Sequence, residues 1–159
     1  TGGSMITRVG LQDAEYMPAP IKFEAGTHRV SHAVAFAAAV RYLQHLGMEN
    51  VEAWEHELGA RLVEGVQKIE GVRLLGPADP SKRAGLVALA IEGVHPHDVG
   101  QLLDTQGIAV RVGHHCAQPL HRCAGVTAST RASTYIYNTT EDVDAFLKAL
   151  AEVRPYFGF

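Results

Sequence analysis

Arg111-Val112-Gly113-His114-His115-Cys116-Ala117-Gln118-Pro119 gathers a guanidinium, two imidazoles, a thiol and two backbone breakers into nine residues. Just upstream, Gly107 precedes the apolar run Ile108-Ala109-Val110, which reads as a buried strand delivering the cluster to the edge of a sheet. Cys116 therefore falls on a loop held by a strand. Arg111 and any protonated imidazole nearby would favour the thiolate, the form that attacks electrophiles or binds metal. That makes Cys116 the candidate nucleophile, against the competing use of a lone cysteine as a small buried hydrophobe. His114, His115, His121 and Cys123 also raise zinc, but structural zinc sites draw ligand pairs from separated elements, not five candidates within ten residues, and no metal site is assigned. A Cys116 to Cys123 disulfide is a further alternative, yet two cysteines in 159 residues do not make a secreted disulfide scaffold.

Working outward, a short helical piece around Leu120 leads to a strand through Thr130-Arg131-Ala132-Ser133-Thr134-Tyr135. Asn138-Thr139-Thr140-Glu141-Asp142 then opens a helix whose apolar face is Val143, Phe146, Leu147, Leu150 and Val153. On the other side, His95-Pro96-His97-Asp98 starts a helix ended by Gly107, with Pro96 suited to its first position. His95 and His97 read as exposed residues of that helix start, with ligation as the alternative. Val72 to Leu75 and Gly85 to Ile91 read as strands, and Met48 to Ile69 as an amphipathic helix with Val51, Trp54, Leu58, Leu62, Val66 and Ile69 inward. From residue 48 the order is helix, strand, strand, helix, strand, strand, helix. Mostly antiparallel pairing with helices on one face fits it, an α+β layer domain. Arg131 follows the Cys loop on the next strand, so both can converge on one cleft, where an Arg grips a carboxylate bidentately.

The first 30 residues are irregular, with short extended pieces marked by Gly2-Gly3, Pro18, Pro20 and Gly26. Gly26-Thr27 offers a flexible backbone N–H beside a hydroxyl, which is how loops hold phosphate oxygens, although a plain turn is the simpler reading of the pair. From Ser31, the expected N-cap, to Leu46 the chain reads as a helix with almost no polar face before Arg41. Such a helix is expected to be buried on most sides, by a missing domain or a large subunit interface.

At 159 residues and 47% hydrophobic, the chain can fill one ordinary core. A net charge of -3 gives no basic footprint, so nucleic acid is not an expected partner. No run reaches the length of a membrane span, no signal-peptide pattern opens the chain, and a cytoplasmic location is the expectation. Thr1-Gly2-Gly3-Ser4-Met5 opens in mid-motif, as the start of a fragment would.

Five ordered stretches, Gly2-Gly3-Ser4-Met5-Ile6, Phe23-Glu24-Ala25-Gly26-Thr27, Arg111 to Pro119, Arg131-Ala132-Ser133 and Tyr137-Asn138-Thr139, together resemble a SufS-like cysteine desulfurase of the class V aminotransferase fold. The resemblance runs over nearly the whole chain. It implies the C-terminal portion of a fold-type I enzyme dependent on pyridoxal 5'-phosphate: residues 1–45 the end of the large cofactor-binding domain, residues 46–159 the small domain carrying Cys116. It further implies that Cys116 takes sulfur from L-cysteine, becoming a persulfide and leaving L-alanine, and that the short Gly-His-His-Cys loop holds the thiol in place. Arg131 would bind the substrate carboxylate, Arg111 would sit at the substrate site, and Gly26 and Thr27 would contact the cofactor phosphate in the neighbouring subunit of a homodimer. Sulfur would pass to a carrier protein serving iron-sulfur cluster assembly. His28 stands where the family usually has proline. None of Lys22, Lys68, Lys82 or Lys148 has the context of the family's Schiff-base lysine, so the chain alone is expected to be inactive. Selenocysteine lyase on the same scaffold and an inactive binding or regulatory fragment are the alternatives.

Overall fold

The structure is a computed structural model that describes residues 2–159. It falls into two compact units, the first ending at Leu46 and the second running from Gly47 to Phe159.

The first unit opens with an antiparallel pair, β1 (Ile6–Val9) and β2 (Ala14–Tyr16). Its turn is closed by the Gly10 N–H donating to Asp13 O at 2.8 Å, and Arg8 reaches across to Asp13 and Glu15. A short turn at Ile21–Phe23 leads to α1 (Val30–Leu46). Ser31 lies inside α1 and is not its N-cap. Within the chain this helix stays uncovered. None of its residues is buried, and Val34 and Phe36 stand 64% and 72% exposed, because nothing in this unit is large enough to cover an alanine-rich cylinder of this length.

The second unit has its own core. In α2 (Met48–Val66), Val51, Leu58, Leu62, Val63 and Val66 are buried while its glutamates face outward. At Gly59 the helix passes so near the backbone that an added Cβ would stand 3.2 Å from Ala84 O. Four strands follow in the spatial order β3 (Val72–Leu75), β4 (Leu86–Ile91), β6 (Ser129–Ser133) and β5 (Arg111–Gly113), all neighbours antiparallel. Strand alternation turns Val87, Leu89 and Ile91 to one face, where they pack with α2, with Val99 and Leu103 of α3 (Pro96–Thr105) and with Val143, Phe146 and Leu150 of α5 (Thr140–Ala151). Each such side chain, fully buried, contributes about 1.5–3 kcal/mol of transfer free energy. Val153 of the short α6 (Val153–Tyr156) completes this cluster.

Helices on one face leave the other face for chemistry. It carries Arg73, Ala88, Ala90, Arg111 and Arg131, and small alanines in the central strand keep that surface low. One expected strand is displaced. Ile108-Ala109-Val110 makes no ladder, since Ile108 and Val110 pack against the core as partly buried side chains, and pairing with β6 begins only at Arg111. Among the described residues no helix is long and apolar enough to cross a membrane.

Candidate active site

The β5–β6 ladder sets the geometry. Its partners are Arg111 with Arg131, Val112 with Thr130 and Gly113 with Ser129. Directly opposed residues share a face, so the two guanidiniums lie side by side, while Val112 and the fully buried Thr130 point toward the helices. Like charges in this arrangement repel, and neither guanidinium has a carboxylate or carbonyl partner among the described residues. The Arg131 Nε is buried without an acceptor. An unpaired buried donor costs about 1–3 kcal/mol, and an anion bridging both arginines would remove that cost and the repulsion together.

Directly after Gly113 the chain makes a turn from His114 to Ala117, closed by the Ala117 N–H donating to His114 O at 2.8 Å. Its two central residues are His115 and Cys116, with φ of 51° and 58°. Left-handed backbone at two side-chain-bearing residues costs roughly 1–2 kcal/mol each. Both Cys116 and Cys123 are free and exposed, so no disulfide joins them.

Beyond the turn lies α4 (Gln118–Cys123), started by Pro119 within its first positions. Its His121 is buried, with Nδ1 3.0 Å from Ala117 O and Nε2 2.9 Å from Ser129 Oγ. The same hydroxyl lies 3.0 Å from His115 Nε2. Burial, with Arg131 and His121 adding to it, pushes the His115 imidazole below its ordinary value, so the ring is neutral at neutral pH. Arg73 of β3 donates to Ala124 O at 3.0 Å, tying the end of α4 to the open face.

The structure thus brings Arg111, Arg131 and the Cys116 turn onto one ladder of the second unit. Of the two residues that support that turn, the sequence raised His121 only as a zinc candidate and did not single out Ser129. The signal was the period-two spacing of Ser129 and Arg131, which puts both on one face of a strand.

Gly26 and Thr27 belong to the first unit. Gly26 has φ 85°, and the amides of Gly26 and Thr27 donate to no backbone carbonyl among the described residues. Gly3 backs onto this segment so closely that a Cβ there would stand 2.8 Å from Gly26 N. Two glycines therefore shape the loop, and its N–H groups meet no backbone acceptor among the described residues.

The family model for aminotransferase class-V matches residues 1–146. The chain belongs to the class-V aminotransferase family. Among curated members it is 49% identical over 158 residues to a probable cysteine desulfurase 2 from Mycobacterium leprae, and 48% identical over 157 residues to a probable cysteine desulfurase from Halalkalibacterium halodurans. Each alignment covers 99% of this chain and 38% of the relative, so the chain spans well under half the length of these class-V members. Among solved structures, the apo cysteine desulfurase from Thermococcus onnurineus superposes with a TM-score of 0.82 at 39% identity, over 96% of this chain and 38% of that one. The cysteine desulfurase CsdA from Escherichia coli also gives 0.82, at 34% identity, over 98% and 38%. The α+β architecture with its antiparallel sheet is thus that of the fold-type I class-V enzymes.

Proposed function

We propose that this chain works as the C-terminal portion of a cysteine desulfurase dependent on pyridoxal 5'-phosphate, residues 1–45 closing the large domain and 46–159 forming the small one. The observation that carries this reading is the arginine pair: two unpaired guanidiniums on one ladder whose next residues turn back to present an exposed thiol. L-Cysteine has the matching parts, a carboxylate for the arginines and a sulfur for Cys116. Relatives named cysteine desulfurases support the same assignment.

The residues present fit one edge of the cofactor. Gly26 and Thr27 supply amides and a hydroxyl, shaped by the Gly3 approach, for its phosphate, in a homodimer from the neighbouring subunit. Lys22, Lys68, Lys82 and Lys148 are all exposed, so a covalent anchor would come from the rest of the length that the relatives have. When bound, the cofactor supplies the electron sink for breaking a bond at the substrate's side chain.

Arg131, with Arg111 beside it, holds the substrate carboxylate and so fixes where its sulfur lies. The Cys116 thiolate attacks that sulfur. A sulfur–sulfur bond forms, the carbon–sulfur bond of the substrate breaks, and its electron pair stays with the carbon, which takes a proton to become alanine. Cys116 is left as a persulfide, ready for a carrier protein that serves iron-sulfur cluster assembly in the cytoplasm.

The test is a full-length enzyme carrying these residues, given L-cysteine and cofactor. Alanine should form with one extra sulfur on the Cys116 peptide by mass spectrometry, and the 159-residue chain with added cofactor should form neither. Alanine released by the short chain alone, or extra sulfur on another residue, would overturn this assignment.

A further inference from the structure

We infer that Ser129 is a positioning residue for Cys116: its hydroxyl, shared between the rings of His115 and His121, holds at two points the turn that presents the thiol. The inference rests on the reading of Cys116 as the nucleophile.

The hydrogen bonds run in one direction. Ala117 O only accepts, so His121 Nδ1 carries the hydrogen and donates to it, and in that tautomer Nε2 is the acceptor. That nitrogen takes the Ser129 hydroxyl proton. The serine oxygen, its proton committed, then accepts from His115 Nε2–H. The two rings are thereby fixed in opposite tautomers, and the His115 Nδ1 is left as a bare acceptor, buried and without a partner among the described residues.

A turn with two side-chain-bearing residues in left-handed backbone persists only where its surroundings over-determine it. The closing bond from Ala117 to His114 is one constraint. His121 grips the carbonyl of Ala117, and the His115 ring is pinned from the turn's centre, both through the fully buried Ser129. Ser129 stands two residues before Arg131 on the same face of β6. One strand thus fixes the place of the thiol and of the proposed carboxylate anchor, and Ser129 is the link between them.

Gln and Asn at position 115 separate the bond from mere bulk. The amide nitrogen of a glutamine reaches the place of Nε2 and can donate to Ser129, whereas that of an asparagine is too short. In the 159-residue chain, iodoacetamide labelling of Cys116 is read against the free and exposed Cys123 in the same molecule as reference. Ser129→Ala and His115→Asn should each shift the Cys116-to-Cys123 labelling ratio by about threefold or more, and His115→Gln should restore it. In the full-length enzyme the same two variants should lower kcat about tenfold or more with little change in KM for cysteine, because the arginines are untouched. If Ser129→Ala fails to fold, the His115→Gln and His115→Asn pair decides alone. An unmoved ratio in folded variants, or identical behaviour of Gln and Asn, overturns the inference. Absence of persulfide on Cys116 in an enzyme whose labelling ratio does respond would instead sink the desulfurase reading and leave the positioning role standing.

Discussion

Arg111 and Arg131 oppose each other directly across the β5–β6 ladder, with no carboxylate of the described residues bound to either. Such a pair is stable in proportion to the anion it holds. Charge-assisted hydrogen bonds contribute about 1.5–3 kcal/mol, or roughly tenfold to a hundredfold in binding. Arg131→Lys keeps the charge but not the fork. In the full-length enzyme it should raise KM for cysteine by roughly tenfold or more while kcat falls less, and steady-state kinetics over a range of cysteine concentrations check this. An unchanged dependence on cysteine would remove Arg131 from the substrate site.

Cys116 and Cys123 are both free and exposed, yet only Cys116 sits at the centre of a closed turn beside the arginine ladder. Cys116→Ala should still bind cysteine, since the arginines remain, but lose alanine formation by roughly 10³-fold or more, the scale of removing a nucleophile. Cys123→Ala should match the parent enzyme. Alanine assays and mass spectrometry of the persulfide after one turnover decide between them.

Acid should loosen the packing of α2 against α5. Arg61 donates to both carboxylate oxygens of Asp144 at 2.7 Å, and this bond holds the Asp144 carboxyl below the usual carboxylate range. A depressed carboxyl contributes stability that is complete above its unfolded value, about 3.9, and is lost as pH falls through the folded value. Asp144→Asn should therefore flatten the decline of Tm below about pH 4. Both side chains are near half exposed, so added salt should shrink the difference between variant and parent.

The start of α5 is closed by a reciprocal pair: Thr139 Oγ1 accepts from the Asp142 N–H, and the Asp142 carboxylate accepts from the Thr139 N–H. Thr139→Ala should cost about 1 kcal/mol, and a urea denaturation series should show it as a lower midpoint with an unchanged slope.

Much of this was written in the residues. The α2 and α5 spacings, the 72–75 strand and the capping signal at Thr139 gave helices and strands where the structure has them, because each is a local pattern that its own burial satisfies. One reading failed where the cause is not local. Ile108-Ala109-Val110 has strand composition, but pairing depends on where β6 runs, and that strand offers its partners only from Arg111 onward. The composition of α1 speaks of burial, while nothing in these 46 residues supplies a cover. At the site, Cys116 and the arginines were visible as dense chemistry. The Ser129 link was not, since its period-two spacing with Arg131 places the serine on that face but says nothing of the two histidines found on it.

The left-handed backbone at His115 and Cys116 sets stability and chemistry against each other. At such a pair of turn positions Asn-Gly is the comfortable choice, and glycine is free of the steric cost that a side chain incurs. Cys116→Gly should therefore raise Tm even as it removes the thiol. A library selected for heat resistance alone would drift toward glycine at 116 and discard the reactive sulfur, whereas one selected for turnover would keep the cysteine and the lower melting point. Residues 115 and 116 are thus the place where directed evolution under the two pressures should diverge first.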